Sequence, residues 1–257
     1  MLTALLQLLV AVLIVAFAAV ALAVGRRAAT SAPSRRAAWT VAGAAFLFHG
    51  ANMMAQAAFA VTALVAGPGE PAYRAYMAVA PAMNHSRTVA LLAFFGTLLA
   101  LPYVAERTRW FVPAAVAAVL LGAAAGAAGG VLDGRLGERS HYLSLVSLDS
   151  VELVFVLGVL FLLLVRDAVD RLLWLALAVY ALSLALNILF VSPVGLRALV
   201  GGWAPPGWSM QAYRAVLRTA MLAIALRRWS AARRGTDVPA LFEPLNRRAT
   251  PPPPLLQ

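Results

Sequence analysis

Seven apolar runs, parted by short polar or arginine-bearing segments, make up most of this chain. They cover about residues 2–24, 38–65, 79–103, 111–131, 143–165, 172–191 and 206–226. A helix rises 1.5 Å per residue, so about 20 apolar residues cross a hydrocarbon core of about 30 Å. Each run is long enough to cross. The second is longer than needed, which predicts tilt or extension past the bilayer. The first run lacks a basic leading segment and runs directly into "GRRAATSAPSRR". It therefore reads as a signal anchor rather than a cleaved signal peptide. The pattern predicts an all-α, polytopic membrane protein, a seven-transmembrane-helix bundle over residues 1–228. Residues 229–257 form a basic, proline-rich tail ending in "PPPPLLQ", which predicts disorder.

Composition supports this class. Only 12% of the 257 residues are charged, about half the share usual in a soluble domain. All 21 basic residues are arginine. A net charge of +11 suggests nucleic acid until the arginines are placed, and most flank apolar runs. The first, third and fifth loops and the tail hold fourteen, against four on the other side. The positive-inside rule then puts the N-terminus outside and the C-terminus in the cytoplasm, in a bacterial inner (plasma) membrane. With no lysine, no retinal Schiff base can form; with no cysteine, there is no disulfide or thiolate chemistry.

The polar residues inside the runs are grouped by face. His49, Asn52, Met53 and Gln56 share one face of the second helix. Asn84, Arg87 and Thr88 share one on the third, with His85 beside them. The fifth carries His141, Ser144, Asp149 and Glu152, the sixth Tyr180, Ser183 and Asn187, the seventh Gln211, Arg214 and Arg218. Most lie in the middle or outer half of the bilayer. An intramembrane charge costs several kcal/mol unless paired or hydrated, so these faces are expected to meet inside the bundle. Glu152 lies 14 residues from Arg166 and Arg214 lies 13 from Arg227, nearly level, which predicts a pair. Arg87 and Asp149 are expected to form a second. The first and fourth runs carry almost no polar residues and are expected at the periphery. In the fourth, Gly122, Gly126 and Gly130 predict close helix packing.

The expected ligand-binding set is therefore His49, Asn52, Gln56, Asn84, His85, Arg87, Asp149, Glu152, Asn187, Gln211, Arg214 and Arg218. Three arginines against two carboxylates leave one net positive charge, which favours a small anionic or amphiphilic ligand. Three histidines on three helices, without HxxxH, do not make a metal site. His49 and His85 differ in depth by nine residues, too far apart to share a haem. No GxSxG element or phosphate loop is present, so no catalytic residue or cofactor is assigned. The leading expectation is a ligand-binding sensory or receptor-like module without its own output domain, read by a cytoplasmic signalling partner. The alternatives are a membrane enzyme or redox subunit acting on a lipid, quinone or other amphiphile, and a small-solute or proton-coupled transporter. The layout is similar to that of seven-helix receptors and microbial rhodopsins, in layout alone.

Overall fold

The computed structural model describes residues 2–27, 33–67, 69–104, 108–134, 138–166, 169–191 and 207–236. They form seven helices: α1 (Leu2–Arg27), α2 (Pro33–Ala66), α3 (Pro71–Val104), α4 (Thr108–Gly134), α5 (Glu138–Arg166), α6 (Arg171–Val191) and α7 (Gly207–Arg233). Of the expected tail, residues 229–233 continue α7 and 234–236 turn away from its end, while the rest lies outside the described residues. The tryptophan-rich connection before α7 also lies outside them, apart from Trp208 at the start of α7.

Among the described residues, five helices are long and apolar enough to cross a bilayer: α1, most of α2, Trp110–Asp133 of α4, Leu148–Val165 of α5 and Arg171–Leu189 of α6. The chain is thus a multi-pass membrane protein. α3 and α7 carry more polar residues, and they pack among the other five. At 34 residues each, α2 and α3 are about 51 Å long, well beyond a hydrocarbon core. They are joined by a tight turn in which Gly67 and Gly69 take positive φ of 86° and 97°, a backbone that a Cβ would strain.

The helices contact one another in a closed ring, α1–α2–α3–α5–α6–α7 and back to α1, with α4 outside it against α2, α3 and α5. The expected periphery is half right. α4 is peripheral, and Leu120 and Leu121 are 56% and 71% exposed toward lipid. α1 instead completes the ring. Its Val10, Ala11, Ile14, Phe17, Ala18, Ala21 and Val24 recur at helical spacing and are buried. Small residues set this approach. A Cβ on Gly43 would lie 2.7 Å from the Leu22 side chain, and one on Gly50 2.7 Å from that of Val15. An apolar face lines a bundle interior as readily as it faces lipid, so composition did not distinguish the two.

The arginine-rich end of the bundle is locked by Asp170. Its Oδ1 accepts the Leu173 amide at 2.9 Å, capping α6. Its Oδ2 accepts the Trp39 indole N–H at 2.7 Å and Arg228 Nε at 2.8 Å. Asp170, Arg228 and Trp39 are completely buried, tying α2, α6 and α7 together. Arg228, counted in the sequence as a topology charge, is therefore a neutralised structural group.

Candidate functional site

The ring encloses a polar cavity of about 30 Å³, space for on the order of two water molecules. His49 and Met53 come to it from α2, Arg87 from α3, and Asp149 and Glu152 from α5. α6 supplies Tyr180, Ser183, Leu184 and Asn187, α7 supplies Arg214 and Arg218, and α1 closes the wall with Val10. These residues meet because each occupies the inward stripe of its helix at similar depth.

Their hydrogen bonds differ from the expected pairs. Glu152 does not pair with Arg214. Its Oε1 accepts the Tyr180 hydroxyl at 2.5 Å. Arg214 Nη2 donates to Asn187 Oδ1 at 2.6 Å, and Asn187 Nδ2 donates to Asp149 Oδ2 at 2.8 Å. Asn187 thus bridges the arginine on α7 to the carboxylate on α5. Arg87 lines the same cavity as Asp149, but no hydrogen bond or ion pair joins them. Equal depth sets the height of two groups, whereas rotation about each helix axis decides which of them touch.

Several buried polar atoms around the cavity have no protein partner. They include His49 Nδ1 and Arg218 Nε, on side chains that are only 4% and 5% exposed. Arg218 lies with its guanidinium carbon 4.7 Å from the centre of the Tyr180 ring, a cation–π arrangement. Its Nη1 contacts the Met221 sulfur at 3.1 Å, a weak acceptor. A buried guanidinium is costly to leave this way, because lost hydration is not replaced.

Toward the arginine-rich end the cavity rests on an aromatic floor. Phe46 packs edge-on against Phe17, Phe94 and Tyr180, with centroids 5.1, 5.9 and 5.3 Å away. Phe95 touches Phe94 and Tyr180 at 4.9 and 6.0 Å. All five rings are at most 1% exposed. Tyr180 joins both layers, with its hydroxyl on Glu152 and its ring in the floor.

The other expected site residues lie elsewhere. Gln56 donates to Asn84 at 2.7 Å, a tie between α2 and α3. His85 sits at the α3–α4 contact, with Nδ1 3.0 Å from the Pro81 carbonyl and Nε2 3.8 Å from Asp133. Asn52 and Gln211 each have a buried oxygen without a partner, but neither lines the cavity. The side chains of His141 and Ser144 are outside the described set. Among the described residues no three or more His, Cys, Asp or Glu side chains are grouped to hold a metal. The ligand set omitted Tyr180 although its helical stripe contains it, because an aromatic at that spacing reads equally well as core.

Comparison with protein-family models, with curated proteins and with solved structures finds no match to this chain.

The hydrogen-bond pattern sets an energetic test. Tyr180→Phe should destabilise the protein by about 1–3 kcal/mol, because the Glu152 carboxyl loses its partner in a buried place. Glu152→Gln and Tyr180→Phe should be strongly non-additive in thermal or denaturant unfolding. Glu152→Gln and Arg214→Gln should add to within about 0.5 kcal/mol, which a direct Glu152–Arg214 pair would not allow.

Proposed function

We propose that this chain is a seven-span protein of the bacterial plasma membrane that binds a small ligand in its polar cavity and passes that event to its cytoplasmic side. In this reading the N-terminus is outside and the C-terminus in the cytoplasm. With Arg228 set aside, the arginine count is still thirteen to four in favour of that orientation. The observation carrying the proposal is the polar cavity lined by Arg87, in which the buried side chains of His49 and Arg218 each keep an unpartnered nitrogen. Structural ties between helices satisfy their own polar groups, as Gln56 and Asn84 do. The aromatic floor favours binding over transport, since among the described residues it interrupts the polar layer at Tyr180. α7 offers a path for the signal, because it carries Arg214 and Arg218 at the cavity and Arg228 in the lock. A ligand that binds one arrangement of α7 better than another shifts the population between them.

A second reading has its own support. An apolar groove of about 550 Å³ runs between α1 and α2, lined by Leu5, Leu8, Ala57 and Val61 among others. It would suit the chain of an amphiphile whose polar head reached the cavity, as a lipid or quinone enzyme would need.

Native mass spectrometry of protein extracted gently from its own membranes tests the proposal. The expected result is one small molecule per chain, lost in Arg218→Gln. Protein carrying only mixed lipid, unchanged by that substitution, would overturn it. A reporter fused to the C-terminus should read as cytoplasmic, and a periplasmic readout would reverse the orientation.

A further inference from the structure

We propose that the cavity ligand is a single small monovalent anion, held between the guanidinium groups of Arg87 and Arg218. The inference rests on the reading that the cavity binds a ligand, and it adds the ligand's chemistry. Of the five ionisable carboxylate and guanidinium side chains around the cavity, three already have polar partners. Glu152 holds the Tyr180 hydroxyl, while Asp149 and Arg214 share Asn187. Arg87 and Arg218 remain. Neither makes an ion pair, and Arg218 keeps an unpartnered Nε and a thioether contact. A guanidinium presents a fork of N–H donors and has no acceptor, so its missing partner is an acceptor, and one carrying negative charge also offsets the buried cation.

Charge and size narrow the class. With both carboxylates ionised, three guanidiniums leave an excess of one positive charge, which one monovalent anion cancels. A cavity of about 30 Å³ admits a halide, a nitrate or a lone carboxylate group. His49 Nδ1, also unpartnered on the cavity wall, supplies a further polar contact. The carboxylate can come from a free ion or from the head of a single-chain amphiphile whose tail lies in the α1–α2 groove.

The full chain in uncharged phosphatidylcholine nanodiscs provides the test, with thermal unfolding followed at constant ionic strength. Sodium bromide, nitrate and acetate are titrated against a gluconate background, with sulfate as the divalent comparison and laurate as the amphiphile. The expected result is a saturable rise in Tm with a monovalent anion and none with sulfate. Saturation with bromide, nitrate or acetate identifies a free ion, and saturation with laurate but not acetate identifies an amphiphile head. Arg218→Met should erase the rise and also raise Tm in the gluconate buffer, because an unpaired buried charge has been removed. A residue that merely braced the fold would lower it. Should that variant not fold, anomalous scattering from bromide between Arg87 and Arg218 in wild-type crystals decides the same point. No saturable rise and no bromide site, with a neutral or cationic molecule retained in native mass spectrometry, overturns the anion while ligand binding stands. Bare protein with no saturable rise removes both.

Discussion

Replacing Asp170 with alanine is expected to cost about 3–5 kcal/mol of stability, the usual loss when one partner of a buried ion pair is removed. Arg228 and Asp170 are both fully buried, so the arginine left behind cannot regain hydration without local unfolding. Two further losses add to this. The Trp39 indole loses its acceptor, and α6 loses its N-cap. Denaturant unfolding in mixed micelles would read the change. Asp170→Leu combined with Arg228→Met should recover the ion-pair part of the loss, since an apolar pair in such a place is often neutral or better, and should leave the Trp39 and N-cap parts. A loss below about 1 kcal/mol in Asp170→Ala would mean that water reaches the lock. The consequence extends to the cavity. Arg218 and Arg228 are ten residues apart on α7, about 15 Å along its axis. Releasing the lock should therefore loosen the helix that carries two of the three cavity arginines.

The helices were readable from the sequence because a bilayer demands long apolar runs, and few other structures leave that trace. α3 and α7 show where the trace fades. Asn84, His85 and Arg87 in α3, and Gln211, Arg214 and Arg218 in α7, dilute the apolar run in the helices that turn polar faces inward. The inward stripes were readable for the same reason, so His49, Arg87, Asp149, Glu152, Asn187, Arg214 and Arg218 could be named together. The partners were not readable. Counting residues along a helix fixes height, so Glu152 and Arg214 looked matched. Rotation and tilt bring Tyr180 to Glu152 and Asn187 to Arg214 instead. The lock was missed altogether. Asp170 stands in the short charged stretch "RDAVDR", and Arg228 among tail arginines, where burial leaves no mark on composition. His85 misled differently. It follows Asn84 on the helix, and a step of about 100° turns it from α2 toward α4 and Asp133.

Gly126→Val is expected to rank beside Asp170→Ala in damage, although it removes no interaction. α4 lies directly on the backbone of α3. A Cβ at Gly126 would overlap the carbonyl oxygen of His85, and one at Gly130 would overlap that of Pro81. At Gly122 the Val89 oxygen would lie 3.0 Å away, tight but close to tolerable. Backbone cannot step aside as a side-chain tip can, so the helices must separate along their whole contact. Overpacking costs typically about 1–3 kcal/mol and more where the obstacle is rigid. Gly126→Val and Gly130→Val should reach or exceed the top of that range, with Gly122→Ala far milder. Gly129 supplies the control, because no described atom of a neighbouring helix lies within 4 Å of a Cβ there. Gly129→Ala should leave stability unchanged or raise it by up to about 1 kcal/mol, through helix propensity alone. Opposite signs at adjacent positions 129 and 130 would locate the effect in helix contact rather than in glycine content. Equal effects at the two would mean that α4 is rotated from the face described here. Because α3 also carries Arg87, the Gly126 and Gly130 variants should weaken anion stabilisation as well, and Gly129→Ala should not.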